Sequence, residues 1–412
     1  MSEILRWFVT LSLIVVAALP ASALTQAEID AAAARATSGL RTVVRKLASE
    51  RLAGRDNNTP QSIDAQTYLI RRLKRLGPGL DASQTGDAAY HQPFVQSGQT
   101  GTNLLAVIPG STLPDEYVIV GAHYDHLDTR SAPSGACRAT GTPGGAVCNG
   151  ATDNAAGVAA VMAIGKAIRR LPTPPSRSIV LALWDAEEDG LLGSLYYVNH
   201  PIVPLAATVA YVNFDIQGSN LLPSLRDTSF AISSETGGTA FQDLVAAAVG
   251  AEGLGTRQLS YIFGQLRSDY ANFVAHQVAT VFFSDATGGC YHTVGDDVAF
   301  VNFRKLQAQS RLSFRVVAAL AEAPTPPAFV PPLPTLATYA DAVVLNDVVN
   351  MGVADLALFA APDQLLLQNV AAGLATIVSD GPALFDNLDV GTLLADAVDV
   401  LGALGRLGCR KM

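Results

Sequence analysis

A surplus of basic residues is missing from this sequence. Lys and Arg number 27 against 36 Asp and Glu, for a formal net charge of −9. Nothing in this balance points to a nucleic-acid partner, which would need a basic face. Cysteine is scarce as well. None of Cys137, Cys148, Cys290 and Cys409 stands in Cys-x-x-Cys spacing, which removes a thiolate metal site. A long hydrophobic run is also lacking: Phe8–Leu19 falls short of the roughly 20 apolar residues a spanning helix needs. No internal repeat is visible.

What is present starts with that short run. It follows Arg6 and leads into Ala21-Ser22-Ala23, a small-x-small pattern, so residues 1–23 read as a secretory signal peptide. The mature chain is then expected in a periplasm or outside the cell, with no stable membrane span. In that setting an even number of cysteines points to disulfides. Cys137–Cys148 is favoured because it closes a short Gly/Pro-rich loop, and this leaves Cys290–Cys409.

Residues 24–323 read as one catalytic domain. Gln26–Arg75 has helical spacing, interrupted by the polar stretch Gly54–Ser62. Beyond it, short apolar runs bounded by turn residues read as buried strands: Leu104–Ile108, Tyr117–Gly121, Ser178–Trp184, Ala207–Phe214 and Ala279–Phe283. Ala155–Leu171, Ala240–Val249, Asp269–His276 and Arg304–Ala323 read as helices. The alternation predicts an α/β fold with a mostly parallel twisted central sheet and helices on both faces. Residues 324–335 are proline-rich and read as a stiff, extended linker. Residues 336–412, acidic and rich in Ala and Leu, read as a small helical appendage of a few short helices, packed on the main domain. Its role is open, and apolar residues within Gly381–Gly408 suit a surface that covers a partner.

Five segments place an acid or a histidine at a strand end or in a loop, where open α/β sheets build their sites. The first ends in His123-Tyr124-Asp125-His126, where Asp125 is spaced to accept a proton from the second ring nitrogen of His123. In the second, Asp153-Asn154-Ala-Ala-Gly157 opens a helix, which also suits an ordinary N-cap. The third, Trp184-Asp185-Ala186-Glu187-Glu188, crowds acids that repel one another unless a cation neutralises them. One of the two glutamates can bind metal while the other acts as a base. Asp215 ends a fourth run, and His292 lies in a fifth segment, with Asp296 spaced to orient it. Mixed His and carboxylate donors suit catalytic zinc.

Together these motifs resemble the M28 family of di-zinc aminopeptidases over roughly Leu40–Ala323. The carriers are Gly-Ala-His123-Tyr-Asp125, Asp153-Asn-Ala-Ala-Gly157, Glu187-Glu188, Asn-Phe-Asp215 and Tyr291-His292-Thr293. Arg267-Ser268-Asp269-Tyr270 resembles a segment of bacterial members. The resemblance implies two zinc ions per chain, bridged by Asp153, one bound by His123 and Asp215 and the other by Glu188 and His292. It further implies Glu187 as general base, Tyr291 as oxyanion donor, a cis peptide at Asp153–Asn154, and peptide substrates cut at the N-terminus. The segment Arg130–Val147 departs from the pattern as an insertion. A carboxypeptidase or amidohydrolase on the same scaffold is the alternative, with Arg130, Arg138 and Arg267 available for a substrate carboxylate. A glutaminyl cyclase fits less well, because it typically departs from the Asp-Asn-x-x-Gly pattern. An inactive binding protein also fits poorly, because such relatives lack ligands that are present here.

Overall fold

The computed structural model describes residues 24–131, 135–140, 145–332 and 336–410; the expected signal peptide lies outside them. The strands are β1 (His91–Gln96), β2 (Gln99–Ile108), β3 (Leu113–His123), β4 (Arg177–Trp184), β5 (Thr208–Phe214), β6 (Thr228–Ile232), β7 (Gly255–Leu259) and β8 (Thr280–Ser284). They form one sheet in the order β1-β2-β4-β3-β5-β8-β6-β7. Its centre, β4-β3-β5-β8, is parallel throughout. β2 joins β4, and β6 joins β8, in antiparallel sense. The sheet is therefore mixed and mostly parallel.

The unbroken apolar runs have a simple cause: both faces of the central strands are buried. On β4, Ile179, Leu181 and Leu183 enter one core, while Val180, Ala182 and Trp184 enter the other. The helices that cover the sheet are α1 (Gln26–Ala33), α2 (Leu40–Leu47), α3 (Pro60–Leu73), α4 (Ala156–Ile168), α5 (Leu192–Asn199), α6 (Gly238–Glu252), α7 (Tyr270–Ala275) and α8 (Phe303–Glu322). Helices α1–α4, α6 and α8 fill the first core; α5 and α7 lie on the second face. Four elements escaped the sequence reading, β1, β6, β7 and α5. β1 and β7 leave most of their positions at least partly exposed, β6 is a strand of only five residues, and α5 is a short helix between two loops.

The C-terminal segment is a helical appendage packed on the main domain, as expected, but its helices are longer than the short ones expected. It forms α9 (Tyr339–Gly352), α10 (Ala361–Asp380) and α11 (Asn387–Arg406), of 14, 20 and 20 residues. Val348, Leu367, Ala403 and Leu404 from these helices share the second core with Leu222, Phe230, Ile232 and Leu259. The apolar residues Ala403, Leu404 and Leu407 thus cover the chain's own sheet face, not a partner. The start of α11 is held by Asp386, whose carboxylate accepts from the N–H groups of Leu388 and Asp389. In the segment between α8 and α9, the Val330 N–H donates to the Thr236 carbonyl at 2.7 Å, so this stretch is tacked to the domain.

Both expected disulfides are present, Cys137–Cys148 and Cys290–Cys409. The second spans 119 residues and ties the end of the chain to the loop that carries Tyr291 and His292. Replacing both of its cysteines by serine is expected to cost about 2–4 kcal/mol of stability, read by urea unfolding. An unchanged unfolding midpoint would mean that apolar packing alone fixes the C-terminal helices.

Candidate metal centre

The four parallel central strands all deliver acids or histidines at their carboxyl ends. β3 ends on His123, β4 runs into Asp185–Glu188, β5 into Asp215, and β8 into the loop holding Tyr291 and His292. Asp153 sits between β3 and α4. The chain passes from β3 to β4 on one side and returns to β5 on the other, so the sheet's direction of build reverses here. Crevices at such reversals are where open α/β sheets bind ligands.

The distances define two facing sets around one carboxylate. Asp153 Oδ1 lies 3.3 Å from His123 Nε2, which is also 3.3 Å from Asp215 Oδ1. Asp153 Oδ2 lies 3.4 Å from His292 Nε2, which is 3.0 Å from Glu188 Oε2. Glu187 Oε2 stands 3.8 Å from His123 Nε2. His123, Asp153, Glu187 and Asp215 are buried. All five expected ligand positions and the expected base are therefore brought together.

Local chemistry explains how Asp153 is presented. The helix after it is capped by Asn154, whose Oδ1 accepts from the Gly157 N–H at 3.1 Å, so the Asp153 carboxylate is left for the crevice. A Cβ at Gly157 would lie 2.0 Å from that same Oδ1, which is why glycine stands there. The Asp153–Asn154 peptide is cis, as the family resemblance implied. Asp296 was expected to orient His292, and here the structure corrects the sequence reading. Its carboxylate accepts from the N–H groups of Thr152 and Asp153 at 2.9 and 3.0 Å, and from Thr152 Oγ1 at 2.8 Å. Buried backbone donors in an irregular turn need an acceptor, and Asp296 supplies it. Asp125 does stand beside His123: Nδ1 is 3.2 Å from its carbonyl oxygen and 3.6 Å from Oδ1. Its other oxygen accepts from the Glu188 N–H at 3.2 Å.

Tyr291 lines the crevice with Asp153, Glu187, Glu188 and Asp215. Its ring stacks on His292, with centroids 3.8 Å apart. Its hydroxyl oxygen accepts from Arg267 Nη2 at 2.9 Å. The inserted segment buttresses the same loop: the Arg138 N–H donates to the His292 carbonyl, and Arg138 Nη2 to that of Tyr291 at 2.6 Å.

Electrostatics mark the cluster as one that seeks positive charge. Burial would lower His292, yet the carboxylates of Asp153 and Glu188 beside it carry it up to about 10. Burial also opposes His123, but the charges of Glu187 and Asp215 raise it well above the usual imidazole range. Glu187 is pushed well up, first by burial and then by Asp215, Glu188 and Asp269, against the opposing pull of His123. Burial opposes Glu188 too, but His126 and His292 bring it down to about 2. The donors suit divalent metal. His123, Asp153 and Asp215 offer atoms all within 4.8 Å of one another, and so do His126, Asp153 and Glu188. His292 Nε2 lies close to Glu188 Oε2 and Asp153 Oδ2 without forming a well-directed hydrogen bond to either, as a ligand atom turned toward an ion would.

Comparison with known proteins agrees with this geometry. The model of peptidase family M28 matches residues 103–317, just over half of the chain. The chain belongs to peptidase family M28. Among curated relatives of this M28 peptidase, leupeptin-inactivating enzyme 1 of Streptomyces exfoliatus is 38% identical over 141 residues, covering 34% of this chain and 27% of the relative. The probable glutamate carboxypeptidase LAMP1 of Arabidopsis thaliana is 31% identical over 214 residues, 48% of this chain and 28% of the relative. The matched part thus spans little more than a quarter of these relatives. The solved LapA aminopeptidase of Legionella pneumophila shares the fold, with a TM-score of 0.57 at 19% identity over 73% of this chain and 76% of that one.

Two residues of the M28 peptidase's site were not assigned from sequence. His126 Nδ1 lies 2.7 Å from Glu188 Oε1, so Glu188 is held between His126 and His292. The signal was its place three residues after His123. Arg55 gave no signal, standing in a polar stretch far from the motifs. It is fully buried and donates to the carbonyls of Tyr124 (2.7 Å), Asn149 (2.7 Å) and Gly150 (2.9 Å), thereby fixing the chain after β3 and the turn before Asp153. Arg55→Met takes a donor from each of those buried carbonyls, although that of Gly150 still accepts from the Ala155 N–H. It is expected to cost about 3–5 kcal/mol of stability. It is also expected to weaken metal binding by about 10–100-fold. Thermal unfolding and metal titration read the two effects; unchanged metal affinity would separate Arg55 from the centre.

Proposed function

We propose that this M28 peptidase is an exported two-zinc aminopeptidase. The observation that carries the reading is the placement of Asp153, whose two oxygens face separate sets of His and carboxylate donors. In the proposal His123 and Asp215 hold one zinc, Glu188 and His292 the other, and Asp153 bridges them, while His126 braces Glu188. Two bound ions supply the positive charge that acidifies water and polarises the scissile carbonyl.

The remaining chemistry belongs to the side chains. Glu187 takes a proton from water as the water oxygen bonds to the carbonyl carbon. It then delivers that proton to the amine nitrogen as the C–N bond breaks. Its place in the crevice, with Oε2 3.8 Å from His123 Nε2, suits this role. Burial first, and then the charges of Asp153 and Glu188, raise the Tyr291 phenol further, so it stays protonated. With its oxygen accepting from Arg267, its O–H remains free to donate to the developing oxyanion. Export rests on the leader-like residues 1–23 and is supported by the two disulfides. No helix of the described residues is long and apolar enough to cross a membrane.

One observation favours a second reading, a carboxypeptidase: Arg267 also lines the crevice and can pair with a substrate carboxylate. Peptide amides with free and blocked N-termini separate the two. The aminopeptidase reading expects cleavage only when the N-terminus is free. Cleavage of blocked peptides at their C-terminal end would replace it with the second reading.

A further inference from the structure

At the end of α4 remote from the acids lies a second concentration of charge, of opposite sign. Helix α4 has 13 residues, so it carries the chain about 20 Å away from the crevice. There α2, α3 and α4 border a cavity of about 360 Å³, the size of a small-ligand pocket. Arg72, Arg75, Lys166, Arg169 and Arg170 line it, and among the described residues no acid does. Its apolar lining comes from Val43, Leu76 and Met162.

Five cations thus converge in a chain whose net charge is −9. The Arg and Lys ion pairs among the described residues use other cations. The carbonyl ends of α3 and α4 attract positive charge, but Arg75, Arg169 and Arg170 lie past both helices and are exposed. Lys166 Nζ donates to a neutral partner, Ser38 Oγ, at 2.9 Å. Arg72 stacks on Tyr68, its guanidinium carbon 4.7 Å from the ring centroid, and its buried Nε makes no well-directed hydrogen bond. Burial, and then the charges of Arg170, Arg72 and Arg75, lower the Lys166 ammonium from its usual range, as like charges held together do.

We propose that this cavity binds a phosphate-bearing anion, supplied either as a free polyphosphate or as the headgroup of an anionic lipid. Arginine forks match phosphate oxygens. A terminal phosphate brings about −1.5 to −2 charges and three acceptor oxygens, where a carboxylate brings a single charge. The site is separate from the metal centre, and the proposal stands whichever peptide bond the crevice cuts.

The test titrates the full zinc-loaded chain with pyrophosphate by calorimetry. It also mixes the chain with vesicles of phosphatidylcholine, with and without phosphatidic acid. Two triple variants accompany the wild type. Arg75→Gln/Arg169→Gln/Arg170→Gln strips the exposed cations from the cavity, and Arg51→Gln/Arg226→Gln/Arg304→Gln removes the same charge from exposed positions elsewhere. All six side chains are exposed, so zinc content and peptide cleavage should match the wild type in both. Pyrophosphate affinity is expected to fall at least about tenfold in the cavity variant and to stay within about twofold in the other. Vesicle binding that needs phosphatidic acid and is lost with the cavity cations would make a lipid headgroup the source of the phosphate. Pyrophosphate binding without vesicle binding would make it a free anion. No pyrophosphate binding by the wild type, or equal binding by all three chains, as contact with the metals of the crevice would give, would overturn the proposal.

Discussion

Glu187→Gln is expected to keep both metal ions and to lose turnover by about 10²–10⁴-fold. The substitution preserves shape and hydrogen-bonding reach but removes the site that takes the proton from water. Glu187 is well placed to act as that base, because its Oε2 is 3.8 Å from His123 Nε2, within the crevice yet outside both sets that face Asp153. Steady-state kinetics and metal analysis on the same preparation check the prediction. Loss of metal together with activity would mean that Glu187 is a ligand and that its role and that of Glu188 are exchanged.

Asp153→Ala should have the larger effect on the metal itself. One carboxylate faces both donor sets, so its removal weakens both at once. It also leaves His123, His292, Glu188 and Asp215 crowded without their shared neighbour. Metal content is expected to fall from two ions per chain to none after desalting. Activity should fall with it, by more than about three orders of magnitude. Retention of a single tight ion would contradict the shared role. The protein should still fold, because the backbone of this turn is held by Asp296 and Arg55, not by the Asp153 side chain.

The parts of this site that were legible in the sequence share a physical origin. His123, Glu187, Glu188, Asp215 and His292 follow apolar runs that must be strands because both sheet faces are buried, and a strand end delivers its next side chain to the crevice. The two disulfides were readable because four cysteines in a chain expected to be exported leave few pairings. Asp296 was misassigned because sequence distance suggested His292, whereas the deciding demand came from buried N–H groups of Thr152 and Asp153 far away in the chain. Arg55 was invisible for the same reason: its partners are backbone carbonyls, which carry no residue type. The C-terminal helices and their packing on the main domain were foreseen, but not their length or which surface they cover. Their apolar residues match a face of the sheet, and periodicity alone does not say which surface a helix covers.

The central claim is that one carboxylate, Asp153, stands between two metal ions. The most direct test is an anomalous difference map from crystals of the zinc-loaded protein, recorded at the zinc edge. Two peaks are expected flanking the Asp153 carboxylate, one beside His123 and Asp215 and one beside Glu188 and His292. A single peak, or peaks away from Asp153, would contradict the claim.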